Sequence, residues 1–159
     1  MRLEGVCMSP RPQNDKNIQL GIILAMRNQR NEKPLHWVGS SKKDLLALPA
    51  DVVDDFGYAL GAVQLGATPP QAKAWKGEGS GVWELVDNHR GDTFRAVYTV
   101  RFAKAVYVLH CFQKKSPSGI RTAQSDIDLI HERLKLAQQH YKEHHEHQNQ
   151  SLSPNRRNG

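Results

Sequence analysis

The chain contains no apolar run near the roughly 18–20 residues that a membrane span requires, which excludes an integral membrane protein. Its two cysteines, Cys7 and Cys111, lie far apart and form no C-x-x-C pair. A disulfide scaffold and a zinc ribbon are therefore excluded, and the cytoplasm is the default compartment. There is no internal repeat, no Gly-rich phosphate loop, no H-E-x-x-H and no Ser-His-Asp set. The apolar piece QLGIILAM is too short for a signal peptide and is followed by no small-x-small cleavage pattern. What remains is a chain of 159 residues, enough for one domain with a modest core.

The net charge of +6 is concentrated rather than spread. Between Asn88 and Thr122 stand seven basic residues, Arg90, Arg95, Arg101, Lys104, Lys114, Lys115 and Arg121, against the single acid Asp92. The rest of the chain is balanced at 15 basic and 15 acidic residues. A basic excess confined to one segment points to a polyanion-facing surface, with a solvated basic face as the alternative.

Patterning divides the chain into an N-terminal extension (1–33), a folded domain (34–142) and a polar C-terminal tail (143–159). Compact patterning begins only after Met26, which makes Met26 an alternative start. LHWVGS reads as a strand, and Ser40 or Ser41 then caps a short helix over KKDLLAL with Asp44 in its first turn. Val52, Val53, Phe56, Leu60 and Val63 recur at helical spacing up to Gly66. TPP is a breaker, and GEGSG is expected to be a mobile loop that no strand precedes. VWELVD, DTFRAVYTVRF and AVYVLHCFQKK follow as three strands, joined at NHRG and at Ala103–Lys104. In the middle strand Phe94, Ala96, Tyr98, Val100 and Phe102 make a core face, leaving Arg95 and Arg101 on an open one. After the SPSG loop a helix from about Thr122 carries Ile127, Ile130, Leu134, Ala137 and Tyr141 as its stripe, with Ser125 and Asp128 as a capping box. The expected fold is α+β: a small, twisted, mainly antiparallel sheet in the order strand, two helices, three strands, helix.

A sheet face bearing arginines, with a Lys-Lys pair ending its last strand, describes a phosphate-binding surface. Arg95 is its most informative member, because a guanidinium on a rigid strand presents a planar fork to phosphate oxygens. Lys114 shares a face with His110, and Lys115 shares the other with Cys111. Lys76, Arg90 and Arg101 stand at the rim, with Lys104 and Arg121 in the same basic segment. His89, in a hairpin turn, is placed to approach a substrate. His110 reads as a packed sheet residue. His140 and His144, one helical turn apart, have a spacing that can bind metal, but adventitiously in so polar a tail.

The run GVWELVDNHRGDTFRAVYTV, followed by YVLHCFQKKS and a helix, resembles the phage-related, HigB-like branch of the RelE/ParE toxin superfamily over roughly Lys33 to Lys142. The resemblance implies a RelE-like topology and the toxin of a type II toxin–antitoxin pair. RelE-like members cleave mRNA in the ribosomal A site without a metal or other cofactor. Their chemistry is attack of the ribose 2′-hydroxyl on the adjacent phosphate, with basic residues stabilising the phosphorane. On this reading Arg95 matches the phosphate-stabilising arginine, and Lys114 and Lys115 occupy the region of another catalytic basic residue. Where relatives carry substrate-facing lysines, the VWELVD strand offers Glu84. A carboxylate or a histidine is the general base in other branches, which leaves Glu84 and His89 as candidates for that role. Implied partners are a helix-turn-helix antitoxin encoded next to it, the ribosome and mRNA, with no membrane. A ParE-like, gyrase-binding toxin without nuclease activity and an inactive, phage-derived antitoxin-binding protein are the alternatives.

Overall fold

The computed structural model describes residues 32–114 and 122–146. The apolar piece QLGIILAM, Met26, the SPSG loop, Lys115, Arg121 and the tail from residue 147 lie outside the described residues. Within them the order is β1 (Leu35–Trp37), α1 (Ser41–Leu46), α2 (Ala50–Gln64), β2 (Ala72–Ala74), β3 (Val82–His89), β4 (Asp92–Thr99), β5 (Val106–Lys114) and α3 (Gln124–Tyr141). The five strands form one sheet in the order β1-β5-β4-β3-β2. β1 runs parallel to β5, and every other pair is antiparallel. The fold is α+β, as the patterning predicts.

Each helix forms for a local reason. α2 starts behind Pro49, whose φ of −55° suits a helix entrance, and Asp51 faces the positive end of its dipole. Its buried stripe of Val52, Phe56, Leu60 and Val63 packs with Leu45 of α1 against Leu85, Phe94, Ala96, Tyr98, Val106, Val108 and Cys111. α3 buries Ile130, Leu134 and Ala137 against Val97, Tyr107, Leu109 and Phe112 on the opposite face. Both faces of the sheet are thus covered, which corrects the expectation of an open arginine face. Val97, on the arginine side of β4, is completely buried.

Other boundaries also differ from the sequence reading. β4 stops at Thr99 rather than Phe102, and Phe102 turns into the core under α3 instead of continuing the alternation. β2 is an extra strand that precedes GEGSG, so this loop joins an antiparallel pair. Its three residues carry no periodic signal and are held by register with β3. α3 has no capping box: Ala123 occupies the cap position without a side-chain bond, while the Gln124 amide donates to Asp128. Beyond Tyr141 the helix does not fray at once but continues as a wide π-type turn over Lys142–Glu146.

Two irregularities shape the sheet. His89 pairs with Asp92, so the β3–β4 turn is only Arg90 and Gly91, at φ values of +52° and +88°. That is the backbone twist a two-residue hairpin requires, and glycine adopts it without steric cost. The second is a bulge: Val97 pairs with His110 but Tyr98 pairs with Val108, leaving Leu109 as the extra residue of β5. Leu109 therefore points into the α3 core while His110 keeps its own place on that same face.

Candidate functional site

Strand register assembles the site on the face beneath the start of α3. Lys73, Glu84, Val97 and His110 form one row across β2, β3, β4 and β5. The next row holds Val86, Arg95 and Phe112, and a third holds Asn88, Thr93 and Lys114. Directly opposed residues share a face of a sheet, and diagonal neighbours remain within reach of long side chains. Glu84 and Arg95 are accordingly brought together from neighbouring strands, and Lys114 stands one row beyond Arg95 on the next strand.

Arg95 and Glu84 are joined directly. The Arg95 Nη1 donates to Glu84 Oε2 at 2.9 Å, and the two side chains are only 16% and 13% exposed. Nη1 also donates to the Thr122 hydroxyl at 3.3 Å, so the segment entering α3 touches the same guanidinium. By contrast, Arg95 Nε is buried with no hydrogen-bond partner. An unmet buried donor costs about 1–3 kcal/mol, and more for a charged group.

Beside this pair lies a second polar group that the sequence reading passed over. His110 Nε2 meets Asp126 Oδ1 at 3.0 Å, and its Nδ1 faces Asp44 Oδ2 at 3.7 Å. The ring stacks on Phe112, the cross-strand neighbour of Arg95, with centroids 4.8 Å apart. Arg133, 7% exposed, donates through Nη1 to the Leu109 carbonyl at 2.8 Å and through Nη2 to the Ser40 hydroxyl at 2.7 Å. Ser40 in turn donates to Asp44 at 2.8 Å. One signal in the sequence could have found this cluster. Arg133 stands between Ile130 and Leu134 on the apolar stripe of α3, where a charge must be paired.

The remaining predicted residues are scattered. His89 lies on the other face of β3, 3.8 Å from Asp51 at the start of α2, and is not brought to Arg95. Arg90 is exposed at the hairpin tip. Lys76, Arg101 and Lys104 lie towards the other end of the sheet, around the β2–β3 loop and the β4–β5 turn. The Arg101 guanidinium is engaged by the backbone there, donating to the Glu78 carbonyl at 2.6 Å and to that of Ser80 at 3.0–3.1 Å. Lys73, opposite Glu84, is a basic residue of this face that sequence reasoning missed, because β2 itself was unforeseen.

Other titratable groups are arranged for packing. Burial pushes the Cys111 thiol up to about 12, which removes it as a nucleophile near neutrality. The same cause raises Tyr98 and Tyr107 to about 12. His140 and His144 stack with centroids 4.0 Å apart. Among the described residues no group of three or more His, Cys, Asp or Glu is placed to hold a metal ion. None of the described helices is long and apolar enough to cross a membrane.

Fold and site together define a small α+β domain with an arginine–carboxylate pair on a sheet face, flanked by lysines and roofed by its last helix. Residues 43–135 match the family model described as phage derived protein Gp49-like (DUF891), and since that span exceeds half of the chain, the protein belongs to this family. No curated protein and no solved structure gives a match.

Proposed function

We propose that this protein is the toxin of a type II toxin–antitoxin pair and acts in the cytoplasm as a ribosome-dependent mRNA endoribonuclease. The observation that carries the reading is the Arg95–Glu84 pair on the sheet face, with Lys114 one row beyond the arginine. The guanidinium binds a phosphate oxygen, and the adjacent carboxylate is the base. Glu84 takes the proton of the ribose 2′-hydroxyl while its oxygen attacks phosphorus. The bond to the 5′-oxygen breaks as that oxygen takes a proton from water, leaving a 2′,3′-cyclic phosphate and a 5′-hydroxyl end. Arg95 stabilises the extra charge of the phosphorane, and Lys114 adds positive potential one row away. Family membership and the RelE-like sequence resemblance support the same reading, with a helix-turn-helix antitoxin, the ribosome and mRNA as partners.

The test is primer extension on a reporter mRNA in cell-free translation, with wild type, Arg95→Ala and Glu84→Gln in parallel. Discrete cuts that fall at least about 100-fold in both variants are expected, since each removes a group acting on the transition state. An intact message with translation unaffected overturns the reading and leaves gyrase inhibition or simple antitoxin binding in its place.

A further inference from the structure

Three contacts fasten α3 and the segment that enters it to the site face. Thr122, just before its first turn, meets Arg95 at 3.3 Å, Asp126 meets His110 at 3.0 Å, and Arg133 meets the Leu109 carbonyl at 2.8 Å. Asp126 and Arg133, seven residues apart within α3, lie on the same helical side. The middle contact depends on the β5 bulge: His110 follows the extra residue and is placed under Asp126 by it. His110 also abuts the ring of Phe112, which stands opposite Arg95 on the neighbouring strand. One nitrogen of the guanidinium, Nη1, is therefore held by two acceptors, Glu84 on β3 and Thr122, whose own place depends on the first turn of α3.

We propose that the His110–Asp126 pair positions the Arg95 guanidinium. It seats the first turn of α3 and holds Thr122 against Nη1, so that the guanidinium keeps its orientation beside Glu84. His110 and Asp126 are positioning residues and touch no substrate. The inference rests on the nuclease reading for its catalytic consequence, but not for its physical content. Phe112 carries a second, apolar route from His110 to Arg95, and Arg133 anchors the helix further along without contacting Arg95.

The experiment compares wild type with Asp126→Asn, His110→Gln and Thr122→Val, using two readouts. The first is hydrogen exchange of the Arg95 Nε–H by nuclear magnetic resonance on the free protein. Exchange at least about 10-fold faster in all three variants, with the thermal midpoint near wild type, is expected of a loosened guanidinium. The second is steady-state cleavage. A kcat lower by about 10–100-fold with KM within about threefold is the expected signature of misaimed catalytic groups. Unchanged Nε–H exchange in Asp126→Asn and Thr122→Val overturns the positioning role, and so does an unchanged kcat in these variants where wild type cleaves. Where wild type itself does not cleave, the nuclease reading fails, and the exchange measurement alone decides the positioning role.

Discussion

Replacing Arg133 by methionine keeps an unbranched stem inside the α3 core and removes only the guanidinium. Two short hydrogen bonds from a charged donor are lost, to the Leu109 carbonyl at 2.8 Å and the Ser40 hydroxyl at 2.7 Å, together with the 3.6 Å approach to Asp44. Bonds to charged groups contribute about 1.5–3 kcal/mol each. Relief from burying the charge offsets part of this, while Asp44 loses its countercharge. The net expectation is a loss of about 3 kcal/mol, or a urea midpoint lower by roughly 1.5 M at an ordinary m-value for a domain of this size. Arg133→Lys recovers only part, because an ammonium cannot serve two acceptors in the fixed fork of a guanidinium. In a double-mutant cycle, Arg133→Met and Asp44→Asn are expected to be non-additive by about 1 kcal/mol. A midpoint within about 0.3 M of wild type for Arg133→Met refutes the reasoning, and shows the cluster to be a solvated ornament on an apolar joint.

Three further expectations follow from other parts of the fold. Gly39→Ala costs about 1–2 kcal/mol in chemical denaturation, because φ is +58° there and a new Cβ would stand 3.1 Å from Arg133 Nε. Arg90→Asn gains up to about 1 kcal/mol by the same assay, since asparagine tolerates the +52° backbone of the hairpin turn better than arginine, whereas Arg90→Val loses stability. His36 and His140 are held below their usual value of 6.5, by burial first and then by the neighbouring histidines. The unfolded chain then binds more protons than the folded one, so stability is full above pH 6.5 and falls as the pH drops below it. Urea midpoints between pH 7.5 and 5 measure the fall, and His140→Gln is expected to shrink it.

The helices and the three long strands were legible because their signals are local. The α2 stripe from Val52 to Val63 and the α3 stripe from Ile127 to Tyr141 each bury one periodic face, and the β4 alternation from Phe94 to Tyr98 marks the face that packs on α2. β2 was not legible, since three residues without alternation become a strand only when β3 supplies a partner. The capping box failed for a related reason: Ser125 and Asp128 fit the pattern, but the chain enters α3 two residues before the position a serine cap requires.

For the site, sequence alone determined which residue types were available: Arg95 on a strand, Glu84 on the preceding one and Lys114 at the end of the last. These are properties of residue identity and of the twofold period of a strand. Only the tertiary structure decided which of them meet. Register set Glu84 beside Arg95 and sent His89 to the other face, and the bulge after Val97 set His110 under Asp126. Pairing across strands is a non-local choice fixed by the whole hydrophobic pattern and the hairpin turns. The partners of a buried charge such as Arg133 therefore lie in other elements of the fold, beyond the reach of any window of sequence around it.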